Sequence, residues 1–117
     1  MENLELKQKI VKTSYYCQSV YTSIDLFIEF TDMRKYDVLN ELLMKIIEDI
    51  SECIKYYSNL NLDMSLIYEI NNNLNFLLEG YSNKDYFYIR DILEYEIQKN
   101  IEAAFKNLEV KVIEINK

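Results

Sequence analysis

The stretch 79-EGYSNKDYFYIRDILEYEI-97 decides the fold. It holds the chain's only glycine and four of its eleven tyrosines. As one continuous helix it would make the C-terminal half a single rod. As a broken helix it makes a hairpin. Gly80 reads as a stop, because a helix commonly ends on a left-handed residue and glycine has no Cβ to oppose a positive φ. Ser82-Asn83-Lys84-Asp85 then reads as a restart, with Ser82 as the cap and an acid three residues on, or with Asn83 as the cap instead.

Working outward, apolar residues recur with helical rhythm in four segments, about 3–30, 35–57, 64–79 and 83–108. The first has Ile10, Cys17, Tyr21, Ile24 and Ile28 inward, flanked by Val20 and Phe27. The second has a wider stripe of Leu39, Leu43, Ile46, Ile47, Ile50, Ile54 and Tyr57. Asp63 is placed to cap the third, which turns Ile67, Ile70, Leu74, Leu77 and Leu78 inward. The tail, 109–117, carries the β-branched Val110, Val112 and Ile113 and reads as a short strand, a frayed helix end or an arm.

The absence of proline disfavours a sheet rich in tight turns. Short polar links make successive helices antiparallel neighbours. The expected fold is all-α: one domain over residues 1–117, an antiparallel up-down-up-down four-helix bundle with a short C-terminal tail. A shift of 50 residues lays Ile24, Phe27 and Ile28 on Leu74, Leu77 and Leu78, Tyr36 on Tyr86, and Leu39 and Leu43 on Ile89 and Leu93. Two repeated helical hairpins are one way to build such a bundle.

Thirteen basic residues against twenty acidic ones leave a net charge of −7. That balance repels nucleic-acid phosphates and anionic lipid. No apolar run is long enough to span a bilayer, and the first residues lack the apolar core of a signal peptide. The expectation is a cytoplasmic protein with no direct nucleic-acid or membrane partner.

With no histidine, histidine-activated nucleophiles and most zinc sites are excluded. There is no glycine-rich phosphate loop. Glu48 and Glu52, one turn apart, read as a solvated face rather than a metal site. Cys17 and Cys53 read as small core residues that face each other across the first hairpin. The expectation is no enzyme, no cofactor and no metal.

On a helical wheel of the fourth segment, Tyr86, Ile89, Leu93, Ile97, Ile101, Ala104 and Leu108 share one side. Tyr88, Ile92 and Tyr95 form a second apolar strip opposite. It is the candidate protein-binding surface, for another protein, a second copy in a homodimer, or the chain's own tail. Tyr15, Leu26 and Phe30 make a weaker strip on the first helix.

The segment 83-NKDYFYIRDILEYEI-97 resembles a family of small uncharacterised helical proteins of clostridia and related bacteria, through its Asn-Lys-Asp-Tyr entry and its Asp-Ile-Leu-Glu-Tyr-Glu core. The resemblance agrees with a helical fold and carries over no activity. In size and helix count the chain is also similar to bacterial flagellin export chaperones, which implies a protein-binding role. The function expected is a non-enzymatic helical bundle mediating protein–protein interaction, as a chaperone or adaptor. The alternative is an acidic inhibitor (antitoxin, immunity protein or phage-encoded) of a basic nucleic-acid-binding protein.

Overall fold

With no proline or glycine before residue 80, the first helix, α1, runs unbroken from Glu2 to Asp32. The computed structural model describes residues 2–117, with side chains from Leu4 onward; Met1 lies outside the described residues. A single 3-10 turn, Tyr36–Val38, leads into α2, Leu39–Tyr57. A second, Ser58–Leu60, precedes α3, Ser65–Ser82. The last rod is α4 (Tyr86–Ile92), a π turn (Leu93–Ile97) and α5 (Gln98–Ile115) in one helical run.

Cross-helix contacts fix the directions. Cys17 meets Cys53 and Ser19 meets Asp49, so α1 and α2 are antiparallel. Asp32 meets Arg90 and Tyr21 meets Glu102, so the last rod is antiparallel to α1 along most of its length. Asn73 meets Asn100, and Gly80 lies against Ile89, so α3 is antiparallel to the same rod. The result is an all-α four-helix bundle of 48 × 22 × 18 Å.

Its core is an axial column of Ile24, Phe27, Leu39, Leu43, Ile46, Ile50, Leu77, Ile89, Leu93, Ile97 and Ile101, all closed to solvent. Burying each such side chain contributes about 1.5–3 kcal/mol of gross stabilisation. Buried polar groups are satisfied locally. Thr13 and Thr31 donate to the Lys9 and Phe27 carbonyls, and the Gln98 amide donates to Asp25.

Several expectations are corrected. Gly80 has no positive φ and does not end α3, which continues to Ser82. The left-handed residue is Lys84, at φ 51°. Gly80 is instead a packing residue. A Cβ built there would lie 2.7 Å from Ile89 Cγ1 and 2.9 Å from Tyr88 Cδ2. Neither Ser82 nor Asn83 caps the last rod; Asp85 does, accepting from the Tyr88 amide at 3.1 Å. Asp63 does act at the start of α3, accepting from the Ser65 amide at 3.0 Å. Leu78 is not inward but 55% exposed, because Asn73 and Gly80 hold the inner face of α3 in that register. The tail is neither strand nor arm: α5 extends through Ile115, with Ile115 packed against the core.

The internal correspondence extends to geometry. At the end of α1 the Lys35 amide donates to the Phe30 carbonyl and the Arg34 amide to that of Thr31. At the end of α3 the Asp85 amide donates to Gly80 and the Lys84 amide to Tyr81. Each donor and acceptor is displaced by 50 residues, and both turns close on a left-handed basic residue, Arg34 and Lys84. The buried positions Cys17, Val20, Ser23 and Phe27 of α1 recur as Ile67, Ile70, Asn73 and Leu77 of α3. Leu39 and Leu43 of α2 recur as Ile89 and Leu93. Beyond them Ile46, Ile50, Cys53 and Tyr57 correspond to Ile97, Ile101, Ala104 and Leu108, at an offset of 51. The added residue falls in the π turn, whose wider i→i+5 loop absorbs it and restores the core register.

Candidate functional site

The face of α3 carrying Glu69, Asn72, Asn73 and Phe76 follows the i, i+3, i+4, i+7 spacing that aligns side chains on one side of a helix. Opposite it stand Tyr88, Ile92, Glu96 and Asn100 of the last rod, spaced every four residues through the π turn. Together they line a groove of about 560 Å³. Asn100 Nδ2 donates to Asn73 Oδ1 at 2.8 Å across its floor. Phe76 is 43% exposed on one wall, while Tyr88 and Ile92 are half-buried on the other.

Gly80 sets how closely the walls meet at one end, since Tyr88 Cδ2 comes within 2.9 Å of where a Cβ would stand. Partial burial, and then the Glu79 and Asp85 charges, push the Tyr88 phenol above the usual tyrosine range. Among the described residues neither Glu69 nor Glu96 has an ion-pair partner.

The candidate strip is thus divided. Tyr88 and Ile92 come together in the groove, while Tyr95 lies outside it and is 55% exposed. The tail does not cover them, because α5 carries it along α1, where Leu108, Val112 and Ile113 sit beside Ile10 and Ser14. Glu69, Asn72, Asn73, Phe76, Glu96 and Asn100 complete the groove beyond the residues expected from the sequence. The available signal was Phe76, a large apolar residue off the inner stripe of α3, sharing a helix face with Glu69, Asn72 and Asn73.

A related groove lies on the first hairpin, lined by Ser19, Thr22, Ser23, Leu26 and Lys45. Four of these correspond to Glu69, Asn72, Asn73 and Phe76 at an offset of 50. Lys45, in the interval where the offset passes from 50 to 51, takes the place in this groove that Glu96 takes in the other. There Lys45 Nζ lies 2.6 Å from Asp49 Oδ2 and 3.0 Å from Ser19 Oγ. The first groove therefore holds its own cation, and the second replaces that cation with a carboxylate. Tyr15 and Leu26 of the weaker strip also line the first groove, while Phe30 packs against the core.

Among the described residues no helix is long and apolar enough to cross a membrane, and no three acidic or cysteine side chains gather as metal ligands. Compared with known proteins, the chain matches no family model, no curated protein and no solved structure.

Proposed function

We propose that this chain is a non-enzymatic helical bundle that binds another protein, as an adaptor or chaperone, by taking a basic and apolar segment into the groove between α3 and the α4–α5 rod. The observation that carries this is the exchange of Lys45 for Glu96 between the two related grooves. In the first, Lys45 satisfies Asp49 and Ser19. In the second, Glu69 and Glu96 flank exposed Phe76 with no cation from the described residues between them. A lysine or arginine of a partner supplies that charge.

Exposed ion pairs contribute only about 0.2–1 kcal/mol each, so they set orientation and selectivity. Apolar contact with Phe76, Tyr88 and Ile92 supplies most of the affinity, in keeping with the dominance of a few aromatic anchors at interfaces.

The test is selection from a random peptide display library on the wild type and on a Glu69→Lys/Glu96→Lys variant. Wild-type binders are expected to carry Lys or Arg beside Leu, Ile or Phe, and to shift the NMR signals of Tyr88 and Ile92. Binders without a basic bias, or shifts confined to other surfaces, overturn the proposal. The net charge of −7 also favours the second reading, an inhibitor of a basic nucleic-acid-binding protein. In that case the same groove contacts the partner, and nucleic acid competes with the chain for it.

A further inference from the structure

Cys17 of α1 and Cys53 of α2 face each other in the core with their Sγ atoms 2.8 Å apart, both thiols free and both buried. We infer that they are a disulfide-forming pair, a reversible covalent staple between α1 and α2. A disulfide bond is about 2.0 Å long, so little approach separates the two sulfurs from bonding.

Packing alone does not require sulfur here. The corresponding positions of the second hairpin are Ile67 and Ala104, which fill the same depth of the core as hydrocarbon. No other cysteine is present to offer an alternative pairing within the chain.

The co-reactant is a low-molecular-weight disulfide such as oxidised glutathione. One cysteine, as thiolate, attacks a glutathione sulfur, forming a mixed disulfide and releasing one reduced glutathione. The second cysteine loses its proton and attacks the protein sulfur of the mixed disulfide. The Cys17–Cys53 bond forms and a second reduced glutathione leaves. Two thiols are oxidised by two electrons, and one glutathione disulfide is reduced.

The resting pair is guarded against this. Its hydrogen bond to the Cys53 thiol, together with burial, holds the Cys17 thiol far above the usual range and keeps it protonated. The first step therefore proceeds when α1 and α2 part locally, and the second as they close. Oxidation is gated by opening of the hairpin and locked by its closure.

The experiment equilibrates the full chain in glutathione redox buffers, folded and in urea, quenches with acid, and maps the peptides by mass spectrometry. A Cys53→Ala variant, copying Ala104, is the control that cannot pair. The expected result is a Cys17–Cys53 linked peptide from monomeric protein, two hydrogens lighter than the separate peptides and restored by dithiothreitol. Its equilibrium constant is expected to be at least tenfold larger folded than in urea. A folded-to-unfolded ratio of one or less overturns the inference. So does oxidation that yields only glutathione adducts or linked chains.

Discussion

Tyr36 and Tyr86, fifty residues apart in sequence, stack on one another with ring centroids 5.5 Å apart and planes 10° from parallel. Each follows the same turn, one after Arg34 and one after Lys84. The contact therefore joins corresponding positions of the two hairpins. Among the described residues it is reinforced on one side only, where the Tyr86 hydroxyl donates to Asn40 Oδ1 at 3.2 Å. An aromatic pair contributes about 0.5–1.5 kcal/mol beyond the area it buries. A double-mutant cycle of Tyr36→Ala and Tyr86→Ala, read by urea unfolding, is expected to return a coupling in that range. Simple additivity would show that the turns are not coupled through these rings.

Gly80→Ala is expected to destabilise by about 1–3 kcal/mol, the usual cost of forcing extra atoms into a packed site. The new methyl meets Ile89 at 2.7 Å and Tyr88 at 2.9 Å. Ile89→Ala on the Gly80→Ala background removes the Cγ1 that the new methyl meets and is expected to cost less than the two changes taken separately. Lys84→Gly should do the opposite of Gly80→Ala. At φ 51° a side chain is disfavoured, so glycine there is expected to be neutral or stabilising by up to about 1 kcal/mol. A larger loss for Lys84→Gly than for Gly80→Ala would restore glycine as the stop signal.

The contrast at Gly80 and Lys84 shows what the sequence discloses. Helix number, order and most of the core follow from apolar spacing, which is local and periodic. The turn is legible in the sequence, but the only glycine invites the left-handed conformation that Lys84 in fact adopts. Glycine has two uses, a positive φ and a close approach, and the second depends on Ile89 and Tyr88 of another helix. The π turn was written in the four-residue steps Ile89, Leu93, Ile97 and Ile101, which drift around an ideal α-helix unless a residue is absorbed. The groove was half legible. Tyr88 and Ile92 stood out on the wheel of one helix, but the wall facing them belongs to α3, and no wheel of a single helix shows which face meets which.

Asp63 reports on the start of α3. Hydrogen bonds from the Ser65 amide, and then from its hydroxyl, hold the Asp63 carboxyl below its ordinary value of 3.8. A folded-state value below the unfolded one means the contribution is fully present above pH 3.8. It is lost as pH falls through the lower folded value. Carbon-detected NMR titration is expected to place Asp63 below 3.8. Ser65→Ala should raise it part of the way, because the amide bond remains. An unchanged titration in Ser65→Ala would show that the hydroxyl has no part in holding the carboxylate.

Closing the 36-residue separation between Cys17 and Cys53 is expected to stabilise the folded chain by about 3–4 kcal/mol through loss of unfolded-state entropy. Urea midpoints of oxidised and reduced protein measure it directly. The gain should vanish in Cys53→Ala under both conditions. An oxidised form less stable than the reduced one would mean that bonding distorts the α1–α2 contact.

The groove separates binding from folding by exposure. Tyr95→Ser is expected to change stability by no more than about 0.5 kcal/mol, since Tyr95 is 55% exposed and outside the groove. Ile92→Ala removes a half-buried side chain packed against the core and should cost less than the roughly 2–5 kcal/mol of a fully buried isoleucine. Tyr88→Ser also strips the cover from Gly80, so its loss of binding would be confounded with loss of structure. Phe76→Ser is the cleaner probe, because that ring is exposed and sits on a helix held by other residues. It is expected to leave the unfolding midpoint nearly unchanged and to weaken a selected basic peptide at least tenfold in isothermal titration. Glu69→Gln and Glu96→Gln should weaken the same peptide less, and more at low salt than at high salt. Phe76→Ser that binds as tightly as wild type, at unchanged stability, would remove the groove from the interaction.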